Sequence, residues 1–215
     1  MTTRRPAALL AALLVLGPLL VAACGVDVDG APRPVRTEPS TTTTSSLPES
    51  GRAEVVLYYV REGTLLPVIE EVSDRGLEST VQALLQPPDG TVAWAGLSTS
   101  IPAGTELIDM DRRDGVLRIN LSEAFDNVVG RSRQQAIGQL VLTATQVSHV
   151  DDVTFEVDGE QITVSSPTRG DRTVVDACDF RSLLATVDDA GAAELPYDSL
   201  EVLSERRNEL DQQCA

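Results

Sequence analysis

Asp114-Gly115 divides two strand-like stretches, residues 105–112 and 116–121, and this dipeptide favours the tight turn of a two-residue hairpin. In the second stretch Leu117, Ile119 and Leu121 alternate with Val116, Arg118 and Asn120, so one face is apolar and must lie against another layer. The surroundings repeat this logic. Val55 to Val60 is a continuous apolar run of buried-strand type; Glu62-Gly63 turns it, and residues 65–72 read as a second strand weakened by Pro67. Residues 77–86 read as a helix with Val81, Leu84 and Leu85 on one side, stopped by Pro87-Pro88. After the central hairpin, Ser132 is placed to cap a helix and Gln135 to complete a capping box. Ile137, Leu140, Val141, Ala144 and Val147 then follow at helical spacing, and the helix should end near His149. Val153, Phe155 and Val157 alternate into a strand, Asp158-Gly159 turns it, and Ile162 and Val164 return. The expected fold is α+β: a single mixed sheet with two helices packed on one face, plus a C-terminal helical tail. In that tail residues 180–187 and 198–212 look helical.

The N-terminus belongs to another class of segment. Arg4 and Arg5 precede a nearly unbroken apolar run from Ala7 to Leu20, which ends in Val21-Ala22-Ala23-Cys24. A short positive start, an apolar core too short to span a bilayer comfortably, and small residues before a cysteine form an export signal of the lipobox kind. Residues 1–23 are therefore expected to be removed, and Cys24 to carry acyl chains such as palmitate. Each buried methylene contributes ~0.8 kcal/mol, so two or three chains make a stable anchor. Residues 24–52 form a linker with Pro32, Pro34, Pro39, Pro48 and the run Ser40-Thr41-Thr42-Thr43-Thr44-Ser45-Ser46. Such a segment spans roughly 30 Å as a coil and roughly 90 Å extended.

The anchor changes the meaning of the cysteines. Of three, Cys24 is assigned to lipid, leaving Cys178 and Cys214 in an oxidising compartment, where they are expected to pair. Cys178 precedes the first tail helix and Cys214 follows the second, so the bond would staple a helical hairpin and pin it to the main sheet. Charge excludes other functions. The formal net charge is −16, and becomes −18 once Arg4 and Arg5 are removed, which repels nucleic acid.

The stretch Gly96-Leu97-Ser98-Thr99-Ser100-Ile101-Pro102-Ala103-Gly104-Thr105 resembles the GerMN domain family. The resemblance continues through residues 116–121, Asn120-Leu121-Ser122 with Phe125, the helix start at Gly130 and Ser132, Leu140-Val141 with Thr143, Thr145 and Gln146, and Val153-Thr154-Phe155-Glu156-Val157-Asp158-Gly159. It covers about residues 53–166, leaving 167–215 as a C-terminal helical extension. The family occurs in exported bacterial proteins, often lipoproteins, and is named from sporulation and germination. Its fold is similar to ring-building modules of envelope secretion machines. The resemblance implies an assembly or binding role, with no catalytic set to carry over.

Tests for chemistry point the same way. His149 is the sole histidine and no nucleophile elbow precedes any serine, so a Ser-His-Asp triad is not expected. Zinc lacks ligands, and the Asp109 to Gly115 stretch lacks the oxygens of an EF-hand at positions 5 and 12, so neither metal nor cofactor is expected. Glu123 with Asp126, and Glu156 with Asp158, are carboxylate pairs of the sort a glycosidase uses, though a solvated acidic face explains them better. Asn120-Leu121-Ser122 matches a glycosylation sequon inside a strand. Trp94 either caps the core or, exposed, stacks on a wall sugar. The resulting expectation is a non-enzymatic lipoprotein on the outer face of the cytoplasmic membrane. Its partners would be the membrane, an envelope protein or the cell wall, and further copies of itself through weak contacts. The alternative is a wall-acting hydrolase using a carboxylate pair.

Overall fold

The computed structural model describes residues 52–88, 90, 96–191 and 197–215. The export signal, Cys24, linker residues 25–51 and Trp94 lie outside the described residues. Strands β1 (Ala53–Arg61) and β2 (Thr64–Val72) pair antiparallel from Ala53↔Val72 to Arg61↔Thr64. The turn between them, Glu62-Gly63, has φ of 48° and 86°, the doubly positive geometry that matches strand twist in a two-residue loop. Asp114-Gly115 and Asp158-Gly159 repeat it.

Pro67 does not shorten β2, for a reason visible in the register. It faces Tyr58. Tyr58 directs its peptide groups away from β2: its N–H donates to Thr143 Oγ1 (3.2 Å) and its carbonyl accepts from Gln139 Nε2 (2.8 Å). Residues directly opposite in an antiparallel pair are either both turned inward or both outward. The missing N–H of Pro67 therefore falls on the outer edge, where the ladder does not need it.

Helix α1 (Leu77–Leu85) buries Thr80, Val81 and Leu84. Strands β3 (Leu107–Arg113) and β4 (Val116–Leu121) form the central hairpin, and a 3-10 turn, Glu123–Asn127, leads to helix α2 (Gly130–Ala144). Strand β5 (Asp152–Val157) then lies parallel to β4, and β6 (Glu160–Gln161) and β9 (Val175–Asp176) pair antiparallel with β5. The chain is α+β with a mixed sheet in the order β3-β4-β5-β6. The β1–β2 hairpin and a smaller pair, β7 (Val164–Ser166) with β8 (Gly170–Arg172), stand apart from that ladder. In register, Leu117, Ile119 and Leu121 meet Val153, Phe155 and Val157, so the alternation read from the sequence becomes one buried sheet face.

Four local expectations need correction. Helix α2 starts at Gly130 after Val129, with no side-chain cap. Ser132 lies in its first turn, and Gln135 is drawn to tertiary partners: its Nε2 donates to the Gly63 carbonyl (3.0 Å) and its Oε1 accepts from Ser100 Oγ (3.2 Å). The helix also stops at Ala144 rather than near His149. Thr145 folds its hydroxyl back onto the Val141 carbonyl (2.8 Å), and His149 adopts φ 68°, outside helical space. The return strand is only Glu160–Gln161, because Val164 turns away to pair with Arg172 and Ser166 is anchored to Asp179 (2.7 Å).

The tail is the fourth correction. Asp176 and Asp179 form a capping box that starts helix α3 at Ala177–Phe180, earlier than expected. A 3-10 turn, Arg181–Leu183, follows, and then Leu184 bridges to Leu65 in parallel, with Ala185 N–H on the Leu65 carbonyl (3.0 Å). Helix α4 (Val187–Gly191) comes next, and helix α5 (Tyr197–Gln213) packs on β2. Cys178 is thus inside α3, and its disulfide to Cys214 joins α3 to the end of α5 over a Cα–Cα distance of 5.6 Å. The stapled tail covers the β1–β2 hairpin instead of the mixed sheet. The continuous apolar run of β1 is buried from Leu57 to Val60, with α2 packed on β1 and α5 on β2.

One core spans these layers, from Leu57 and Tyr59 through Ile119, Phe125 and Phe155 to Phe180, Leu203 and Leu210. Gly138, in mid-α2, allows a close approach within this core. A Cβ there would sit 2.9 Å from Leu65 Cδ1 and 3.2 Å from Phe180 Cδ1. Gly138→Val is expected to destabilise by about 1–2 kcal/mol, the overpacking cost outweighing the gain from removing a helical glycine. A urea titration showing an unchanged or raised midpoint would refute this close packing.

Candidate functional site

The second face of the mixed sheet is built from polar residues. Strand register aligns Asp109, Asp111 and Arg113 of β3 with Asn120, Arg118 and Val116 of β4, and these with Glu156, Thr154 and Asp152 of β5. Arg118 is the centre. Its Nη1 donates to Glu156 Oε2 (2.7 Å) and its Nη2 to Asp109 Oδ1. Asn120 joins the same row, donating to Asp109 Oδ2 (2.8 Å) and accepting the Gly159 N–H (2.9 Å). The bonds from Asn120 and Arg118 hold the Asp109 carboxyl below its ordinary range, and Asp109 in turn raises Arg118. At the far end Asp152 faces Asp176 across β5–β9; burial, then the neighbouring Asp176 and Asp151, push its carboxyl up. The result is a half-exposed polar surface on which cross-strand partners hold Asp109, Arg118, Asn120 and Glu156 in place.

Polar side chains on the opposite side of the domain have an internal task. Gln139, fully buried, accepts from Ser100 N–H (2.8 Å) and Thr99 Oγ1 (3.3 Å) and donates to the Tyr58 carbonyl. Ser98 exchanges two backbone bonds with Val60 (2.7 and 2.8 Å). So the 96–105 segment and one side of α2 close the outer edge of β1. Arg206 of α5, 5 % exposed, reaches in from the tail to Thr145 Oγ1 (2.7 Å) and Glu209 (2.6 Å). Burial pushes the nearby Tyr58 phenol up to about 12, although Arg206 and a bond from Gln146 pull the other way.

The residues considered for chemistry do not converge. His149 is exposed on a turn beyond α2. Glu156 is engaged by Arg118, and Asp126 by Arg133 (3.0 Å). Asp158 lies in a two-residue turn, and Asp109 to Arg113 is strand. Asn120 of the sequon is buried. Among the described residues no group of three or more His, Cys, Asp or Glu side chains is placed to hold a metal ion. The sequence reading missed the Arg118 row, although the alternation of β4 already put Arg118 and Asn120 on one face. It also missed the buried roles of Gln139 and Arg206, for which no local signal exists.

Residues 39–163, more than half of the chain, match the model of the Germane family, described as sporulation and spore germination. The chain belongs to the Germane family. The Germane segment therefore contains β1 to β6, α1, α2 and the Arg118 face, while β7 to α5 lie beyond it. Three solved structures are similar to the chain. The tandem GerMN domains of the sporulation protein GerM from Bacillus subtilis are 21% identical with a TM-score of 0.43, over 58% of this chain and 45% of that one. The first GerMN domain of the same protein is 21% identical with a TM-score of 0.42, over 58% of this chain and 95% of that one. A chain from Clostridium perfringens, provisionally named a lipoprotein, is 22% identical with a TM-score of 0.42, over 63% of this chain and 94% of that one. This chain thus spans under half the length of the tandem protein. No curated protein matches it.

Proposed function

We propose that this chain is a non-enzymatic envelope lipoprotein, whose Germane domain is a binding or assembly module held outside the cytoplasmic membrane. In this reading residues 1–23 direct export, Cys24 carries the lipid, and residues 24–52 are the tether. Residues 53–166 form the Germane domain, and 167–215 an extension that completes its packing. The observation that carries the binding role is the Arg118 face: a polar sheet surface whose side chains are tied to one another, in a domain whose buried polar groups serve its own packing. Pre-ordered side chains lose little conformational freedom on association, which favours recognition. Lipid anchoring rests on the Val21-Ala22-Ala23-Cys24 sequence, and a tether confines the face near membrane neighbours and raises its effective concentration.

Two measurements test this. Cys24→Ala is expected to leave the membrane fraction or to persist as an uncut precursor. A variant that fractionates with membranes at the wild-type size would show that the anchor is not a lipid. Cross-linking in intact cells followed by affinity capture should recover a protein neighbour with the wild type, and much less of it with Thr154→Arg, which places a bulky charge on the face without removing any described hydrogen bond. Function that survives Thr154→Arg but is abolished by Asp158→Asn or Glu156→Gln, at normal abundance, would instead support a carboxylate-based enzyme.

A further inference from the structure

A cleft of about 650 Å³ lies entirely among residues beyond the Germane segment. Its walls come from the turn after β7 (Thr168, Arg169), the 3-10 turn before Leu184 (Arg181, Ser182) and α5 (Arg207, Gln213), with the Cys178–Cys214 disulfide beside them. Its size suits a small ligand. Three guanidinium groups line it together with the last residue, Ala215; Asp179 holds Arg169 and Asp211 holds Arg181 from beside it, and the one aspartate side chain in the wall is that of Asp176. That carboxylate is already engaged, accepting from Arg169 Nη2 (2.5 Å) and from the Asp179 N–H (3.2 Å).

The arginines are fixed while keeping donors in reserve. Arg207 Nη1 donates to the carbonyls of Leu184 and Ala185, both at 3.0 Å, and among the described residues no carboxylate pairs with it. Arg181 meets Asp211 through Nε alone (3.2 Å). Asp211 follows Arg207 by four residues in α5, one helical turn, so the side chain that Arg181 grips is a neighbour of Arg207. Two guanidinium groups are thereby held close together with free N–H edges, and a third, Arg169, lines the same space.

We propose that this cleft binds a phosphate group, as free phosphate or as a phosphate ester. Guanidinium groups make bidentate, charge-assisted bonds to phosphate oxygens. Three of them arriving from three separate elements suit a tetrahedral anion, which accepts from several directions, better than a planar carboxylate, which one or two forks satisfy. The hydroxyls of Thr168 and Ser182 and the Gln213 amide add neutral donors to the walls.

The test is equilibrium dialysis of the full-length protein against radiolabelled orthophosphate at low ionic strength. Saturable binding is expected, displaced by glycerol 3-phosphate and not by acetate at equal concentration. Arg181→Gln should weaken it by about tenfold or more, the loss of a charge-assisted bond. Asp211→Asn removes the same surface ion pair from its other side and should leave binding unchanged or tighter. Displacement by phosphatidylglycerol vesicles but not phosphatidylcholine vesicles would identify the source as a lipid headgroup. Displacement by glycerol 3-phosphate but by neither vesicle would identify a soluble or polymer-borne phosphate. Absence of saturable binding, equal competition by acetate, or equal weakening by Asp211→Asn and Arg181→Gln would overturn the proposal.

Discussion

Asp179→Ala is expected to lower the unfolding free energy by about 3–5 kcal/mol, the usual loss when one partner of a buried ion pair is removed. The Asp179 side chain is fully enclosed. Its Oδ1 accepts from Arg169 Nε (2.6 Å) and Ser166 Oγ (2.7 Å), and its Oδ2 from Arg169 Nη2 (2.5 Å) and the Asp176 N–H (3.0 Å). Alanine would leave the guanidinium, the hydroxyl and the peptide group facing one another without an acceptor, and would remove half of the capping box that starts α3. The pH dependence has a definite sign. Burial tends to raise the Asp179 carboxyl, but the bonds from Arg169, Ser166 and Asp176 outweigh it and hold the group below its ordinary range. A depressed carboxyl contributes stability that is fully present above about pH 4, the unfolded value, and is lost as pH falls through the folded one. Asp179→Asn should therefore be less stable at neutral pH and show a flatter acid limb. Urea midpoints from pH 7 to pH 2 measure both, and parallel acid limbs for the variant and the wild type would contradict this account.

Loss of the Cys178–Cys214 bond is the other large effect. The two residues are 36 apart, and the chain-entropy relation gives about 4 kcal/mol for a loop of that size. Cys178→Ser with Cys214→Ser should lower stability by up to this amount. The hairpin should report the loss first, because α5 lies on β2 and Leu184 bridges to Leu65. Hydrogen exchange should accelerate at the amides of Leu65, Leu66 and Ala185 before those of Ile119 and Phe155. Uniform acceleration through the mixed sheet would mean that the tail is not a separately opening unit.

What the sequence disclosed follows from the range of each interaction. The Asp-Gly and Glu-Gly turns and the alternation of β4 and β5 are local, and the structure contains them. Helix boundaries failed where distant partners intervened. Gln135 looked like a capping residue because its spacing from Ser132 is right, yet Gly63 and Ser100 claim its amide from far along the chain. Likewise the spacing over residues 180–187 predicts a helix, but Leu65 draws Leu184 and Ala185 into an extended bridge. The Arg118 face was half legible: the alternation placed Arg118 and Asn120 together, while their meeting with Asp109 and Glu156 depends on strand order. The arginine cleft had no signal, since Arg169, Arg181 and Arg207 come together only when the tail folds back.

The closed edges of the β1–β2 hairpin bear on crowding. β1 presents its outer peptide groups to Thr143, Gln139 and Ser98, and β2 carries Pro67 and the Leu184 bridge on its own. Along residues 58–60 of β1 and 65–67 of β2, neither side offers a row of free N–H and C=O groups on which a stray strand could grow. Copies packed at high density would meet as folded bodies, through surfaces that can separate again, and templated cross-β growth from this hairpin would first require the helix or the tail to unfold.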